Sequence, residues 1–337
     1  MSNPVMYRDS RTDGMMDIVF EKVPKRDVFQ QTGIQFMQIN TLYQMMSLVE
    51  GNRAVLSRVD TFLTIPDLLN YWLTGEKVCE FTNATTTQMF NPKTGDWAWD
   101  LIKALEIPEY IFPTIVQPGT KLGEYDGIPV IAPATHDTGS AVAGVPTQLS
   151  NYAYISSGTW SLVGVEVPEA IINDEAFEAN VTNEGGLDGT YRLLKNVMGL
   201  WILQQCRATW QKEGHDYSYA DLVALAEDAD PLKFIFDVDD DRFLSAGNHP
   251  QYIQDWCAEN ELPVPQTHGE IVRAVLESLA LKYNAVIHTI QSISGRDIEV
   301  IHIVGGGIQN ELLNQFTANA TGKKVITGPV EATVLGN

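Results

Sequence analysis

Apolar side chains along this chain recur at helical spacing, at strand spacing or in short unbroken runs, and each pattern predicts a different element. From Asn40 to Gly51, Leu42, Met45, Met46 and Val49 fall on one helical face, with Asn40 placed to cap the start and Gly51 the end. A second helix is predicted to open at Pro66, to carry Leu68, Leu69 and Trp72 inward and to stop at Gly75. Residues 128–135 read as a short buried strand whose C-terminal end delivers His136 and Asp137. The small residues Gly139, Ser140, Ala141, Ala143 and Gly144 then permit a tightly packed helix start.

Residues 144–151 have the turn chemistry of a domain junction. Beyond them, residues 152–156 and 160–166 read as two strands of a hairpin tipped by Ser157-Gly158-Thr159. Residues 190–195 suggest another strand and 197–210 a helix. Thr267-His268-Gly269-Glu270 is a capping-box pattern, followed by Val272, Val275, Leu276, Leu279, Tyr283, Val286, Ile287 and Ile290 at helical spacing. An apolar strand over 298–304 runs into Gly305-Gly306-Gly307, and a helix over 310–320 is closed by Gly322. Strand, glycine turn and helix in succession mean α/β architecture.

The chain has 337 residues, enough for about two domains. Its 43 acidic side chains against 22 Lys and Arg give a net charge of −21, which argues against nucleic acid or an anionic membrane as partner. Cys79, Cys206 and Cys257 have neither a paired count nor C-x-x-C spacing, so a reduced, cytoplasmic setting is expected rather than a disulfide framework. No apolar run reaches the ~18 residues a membrane helix needs, and no leader pattern is visible.

Asp137, a carboxylate after a strand and beside a small-residue turn, stands where open α/β sheets bind ligands. It could accept the proton of a hydroxyl that attacks phosphorus, or it could simply cap the next helix. The hairpin tip Ser156-Ser157-Gly158-Thr159 offers hydroxyls and unobstructed N–H groups able to cradle phosphate oxygens, although such tips are also common turns. Gly305-Gly306-Gly307 lets a ring or phosphate approach bare backbone, but Asn310 stands where a dinucleotide fingerprint needs glycine. Asp237, Asp239 and Asp241 begin like a calcium loop, yet Arg242 and Asn248 occupy the required Gly and Glu positions, so a solvated acidic surface is expected. Ser156 and Ser157 lie in no nucleophile elbow. Trp97, Trp99, Trp201 and Trp210 could stack on a sugar, though core packing is the commoner fate.

Taken together, the ordered motifs resemble the FGGY family of carbohydrate kinases, within the actin/Hsp70/sugar-kinase superfamily, over nearly the whole chain. They include Tyr7-Arg8-Asp9-Ser10-Arg11-Thr12, Asn40-Thr41-Leu42-Tyr43-Gln44, Thr82-Asn83-Ala84-Thr85-Thr86-Thr87-Gln88 and Ala134-Thr135-His136-Asp137-Thr138. Ser156-Ser157-Gly158-Thr159-Trp160-Ser161, Thr182-Asn183-Glu184-Gly185-Gly186, Leu194-Lys195-Asn196-Val197-Met198-Gly199-Leu200-Trp201 and His302-Ile303-Val304-Gly305-Gly306-Gly307 continue the set.

The resemblance implies two ribonuclease-H-like domains with a cleft between them, residues 1–146 and 147–337. It also implies phosphorylation of a small sugar, L-rhamnulose, at its 1-hydroxyl by ATP with Mg2+. Asp137 matches the family's catalytic base, His136 and Thr138 its sugar-contacting neighbours and Asn196 a further substrate contact. Thr159, Gln204 and Gly306 match nucleotide contacts; metal ligands and oligomeric state stay open. The family's Asp-x-Gly phosphate loop is absent before Tyr7, and the family continues past Asn337, so the first domain is expected to be incomplete and the second truncated. The alternatives are a non-catalytic sugar- or nucleotide-binding remnant and a kinase for another ketose or polyol.

Overall fold

In the computed structural model, which describes residues 6–337, the chain folds as two units, each drawing on separated stretches of sequence. Unit one takes residues up to Gly144 together with Glu166–Lys195 and Thr333–Asn337. Unit two takes Val145–Val165 and Asn196–Ala332. This grouping differs from a single division after residue 146 because strand Thr182–Gly185 packs on helix Phe81–Thr86 of the first unit.

Unit one is α/β. Helix Thr41–Gly51 buries Leu42, Tyr43, Met45, Met46 and Val49, the face expected from their spacing. Asn40 stands at its N-cap, but its side chain donates instead to Gln35 O and Gln88 Oε1, and the C-cap is Asn52 rather than Gly51. Strand Val78–Glu80 pairs parallel with Thr114–Val116, and helix Phe81–Thr86 follows it directly. Strands Thr182–Gly185 and Tyr191–Met198 form an antiparallel pair.

Two expectations in this unit are corrected. The strand expected over 128–135 is only Ile128–Ile131, one arm of an exposed two-stranded hairpin with Lys121–Tyr125. Its pairing partner is local, and although helix Ile65–Thr74 packs on the hairpin and Leu122 is buried, Ile128 and Ile131 stay exposed. The second helix runs Ile65–Thr74 and ends at Gly75 in the left-handed conformation, yet Leu69 and Trp72 face outward. The side chain buried there is Asp67, which accepts from Thr64 Oγ1 and from Glu80 N. That polar clamp, and not an apolar stripe, turns the helix toward strand Val78–Glu80.

Unit two centres on strand Val300–Val304, flanked in parallel by Lys324–Thr327 and Tyr152–Ser157. Tyr152–Ser157 continues through the predicted hairpin into antiparallel Trp160–Val167. The Thr267–Glu270 capping box is formed in both directions and starts a 27-residue helix, His268–Ser294, which packs on helices Tyr219–Glu227 and Glu311–Thr321. Val197 and Met198 belong to strand Tyr191–Met198, and the helix expected from 197 begins only at Trp201. The Asp237–Asp241 stretch is not a bare acidic surface: Lys282 Nζ lies 3.0 Å from Asp237 and 2.9 Å from Asp239. Asp239 also accepts from Met198 N. Trp97 and Trp210 are core residues, and Trp210 stacks on His268 at 4.4 Å. Among the described residues no helix is long and apolar enough to cross a membrane.

Candidate active site

In unit one the site starts from a buried carboxylate. Glu80 is fully buried and accepts from Thr82 N, Thr82 Oγ1, Thr135 N and Thr135 Oγ1, at 2.6 to 2.9 Å. Burial pushes its pKa up, and these four donors pull the other way without cancelling the effect. Thr82 Oγ1 in turn accepts from His136 N. The segment that presents His136 and Asp137 is therefore held through hydrogen bonds to helix Phe81–Thr86 and the strand before it, since its own strand ends at Ile131.

Asp137 opens helix Asp137–Ala143, with His136 at the N-cap. Its side chain is 79% exposed, and Oδ1 accepts from Thr138 N at 2.6 Å. That bond meets one of the unpaired amides of the helix's first turn, as a cap would, while the carboxylate as a whole stands largely in the open. Thr138 is buried behind it.

His136 stands between Asp137 and a buried charged pair. Its Nδ1 lies 2.9 Å from Arg192 Nη2 and 3.4 Å from Glu184 Oε2, and its Nε2 lies 3.8 Å from Asp137 Oδ1. Arg192 is fully buried, donates Nε–H to Gly185 O and lies 3.4 Å from Glu184. Desolvation lowers the His136 pKa; Glu184 opposes this and Arg192 reinforces it.

In unit two the hairpin tip and the triple glycine, far apart in sequence, meet. Val304 pairs with Ser156, so the chain leaves both strands at the same edge. Gly305 adopts φ +88°, and a Cβ there would stand 2.8 Å from Ser157 O. A Cβ on Gly307 would stand 2.0 Å from Ser157 Oγ. Gly306, between them, has open space around it. Two glycines thus close the turn on the hairpin, while the third leaves exposed backbone that a ligand can approach.

The same tip holds the next helix. Gly158 O accepts from Leu200 N and Thr159 O from Trp201 N, at 3.0 and 3.1 Å, which sets helix Trp201–Lys212 with Gln204 in its first turn. Thr159 and Gly306 are exposed and Gln204 half-buried. Asn196 is half-buried in strand Tyr191–Met198. The structure thus gathers His136, Asp137 and Thr138 in unit one, and Thr159, Gly306 and Gln204 around one strand edge of unit two.

Reasoning from the sequence gave no part to Glu80 or Arg192. A signal existed for both: each is a charge set among apolar neighbours, in Val78-Cys79-Glu80-Phe81 and Tyr191-Arg192-Leu193-Leu194. Their partners are distant in sequence, so spacing could not supply them. Among the described residues no three His, Cys, Asp or Glu side chains are grouped to hold a metal ion.

The architecture has clear counterparts among solved structures. Xylulose kinase from Lactobacillus acidophilus with bound ligand superposes with a TM-score of 0.77 at 18% identity, covering 100% of this chain and 69% of that one. Plasmodium falciparum glycerol kinase with ADP gives 0.76 at 18% identity, again over 100% of this chain and 69% of that one. The fold is that of the two-domain α/β sugar kinases of the actin/Hsp70 type. Models of the FGGY family of carbohydrate kinases match residues 1–141 with the N-terminal domain and 153–337 with the C-terminal domain. The rhamnulokinase of Bacteroides thetaiotaomicron is 43% identical over 347 residues, covering 100% of this chain and 71% of the relative. That of Oceanobacillus iheyensis is 45% identical over 346 residues, covering 100% and 73%. The chain belongs to the FGGY family of carbohydrate kinases.

Proposed function

We propose that the protein transfers the γ-phosphoryl group of ATP to the 1-hydroxyl of L-rhamnulose, with Asp137 as general base. The observation that carries this reading is the 43–45% identity to rhamnulokinases along the entire chain, with Asp137 exposed at a helix start. In the reaction the sugar oxygen forms a bond to phosphorus as the bond to the ADP oxygen breaks. Asp137 takes the hydroxyl proton as the oxygen attacks and returns it to solvent afterwards. His136, Thr138 and Asn196 are assigned to the sugar. Thr159, Gln204 and Gly306 are assigned to the nucleotide, a role that the bare backbone around Gly306 fits. Mg2+ is assigned to the phosphates of ATP and enters with them.

Sugar-dependent ADP release by the purified protein tests the reading, with D137N as the comparison. L-rhamnulose is expected to drive turnover, and D137N to lower it by roughly 10²–10⁴-fold with sugar affinity retained. No sugar-dependent release, or equal release with xylulose and glycerol, would overturn it.

A further inference from the structure

The Arg192–His136 contact decides which nitrogen of the imidazole carries the proton. A guanidinium has donors only and stays charged at any working pH, so the Nδ1 that it meets at 2.9 Å must accept. His136 is then neutral with its proton on Nε2, the nitrogen 3.8 Å from the Asp137 carboxylate. We propose that Arg192 is a positioning residue that fixes His136 as the neutral Nε2–H tautomer, so that a hydrogen-bond donor and not a cation stands beside Asp137.

Three charged groups face this imidazole. Arg192 comes from strand Tyr191–Met198, Glu184 from strand Thr182–Gly185, and Asp137 from the helix that His136 caps. Glu184 and Arg192 compete for Nδ1: protonation there would turn the ring toward Glu184 Oε2 and away from the guanidinium. An imidazolium would also pair with Asp137 and compete with the substrate hydroxyl for the carboxylate. The lowered pKa of His136, caused first by burial, acts in the same direction as the arginine. The value of the device to catalysis rests on the assignment of Asp137 as base; the tautomer itself does not.

Histidine ring 15N–1H correlation spectra of the full chain test the assignment, with H136Q identifying the His136 signals. Near neutral pH, wild type is expected to show an unprotonated Nδ1 and a protonated Nε2. R192M is expected to move the His136 titration to higher pH, because Glu184 and Asp137 then face the ring with no cation opposing them. E184Q is expected to move it to lower pH with the tautomer kept, and it serves as a second handle if R192M folds poorly. A proton on Nδ1 in wild type, or a His136 titration unmoved by either variant, would overturn the proposal. In turnover assays, R192M should shift the acidic limb of kcat/KM for the sugar to higher pH, a change that mere loosening of the fold would not produce. Because the spectra need no turnover, an inactive protein with the expected tautomer would count against the kinase reading alone.

Discussion

Glu80 Oε2 accepts from both the amide and the hydroxyl of Thr135, at 2.9 and 2.8 Å, and so ties the residue before His136 to the end of strand Val78–Glu80. The same oxygen takes Thr82 Oγ1 and the other takes Thr82 N, so all four donors depend on a group that only accepts.

E80Q tests this clamp with little change of shape. An amide turns two hydrogens toward groups that also donate, and leaving one buried donor unmet costs ~1–3 kcal/mol. The urea midpoint is expected to fall accordingly, with unchanged slope. An unaltered midpoint would show that the Thr135 contacts do not hold the segment.

Gly306 and Gly307 should respond oppositely to alanine. At Gly307 the new methyl meets Ser157 Oγ, and overpacking of this kind costs ~1–3 kcal/mol. G307A/S157G should recover most of that loss. G306A meets nothing within 4 Å, so its stability should stay within about 0.5 kcal/mol of wild type. If ATP binds there, G306A raises the KM for ATP more than the KM for sugar. Thermal unfolding and paired KM values decide both points.

His302 offers a pH test away from the site. It is 3% exposed in strand Val300–Val304, and neither ring nitrogen has a hydrogen-bond partner among the described residues. Burial, with Lys324 adding to it, lowers its pKa. In the window from about 6.5 downward the unfolded chain binds a proton that the folded chain refuses, so stability present above that pH is lost as pH falls toward the folded value. H302L should flatten this acid limb and raise stability near neutrality by removing an unmet polar ring. A wild-type limb as steep in H302L would assign the effect to His136 and His268, whose pKa values are also lowered, chiefly by burial.

Lys282 is the counter-charge of the acidic stretch. Burial disfavours its charge, yet Asp239 and Asp237 more than offset this and hold its pKa up. K282M removes the cation that bridges the two carboxylates, and the loss should be about 1–3 kcal/mol with weaker dependence on salt than for a surface pair. A loss that vanishes at high salt would show the pair to be a surface one.

What could be read in advance followed from locality. The capping box at Thr267–Glu270, the left-handed glycine stops at Gly75 and Gly322, and the hairpin at Ser157–Thr159 are settled within a few residues, and each formed as the spacing implied. The run over 128–135 is apolar enough for a buried strand, but nothing local states that its only pairing partner is an exposed hairpin arm. Likewise, the apolar positions Leu69 and Trp72 carried no sign that Asp67, paired across to Glu80 N, would be the inward residue. Within the site, Asp137 and the triple glycine stood out by residue type. Asn196 and Gln204 are singled out by the resemblance alone, and Arg192 gains its meaning from His136, a residue on another element.

The chain passes from one unit to the other after Gly144, returns after Val165, leaves again after Lys195 and comes back after Ala332. A ribosome delivers this chain in order, so the Glu184 and Arg192 side of the His136 pocket cannot exist until the first hairpin of the second unit has been synthesised. That hairpin in turn must wait for Val300–Val304, the strand beside it, while the long helix is made in between. The second unit therefore cannot close early on the growing chain, and late closure of distant strands is slow and leaves edges exposed. Protease sensitivity of nascent chains stalled near residue 200 should therefore concentrate in 145–165, the hairpin still without its partner strand, and fade only once 300–304 has emerged.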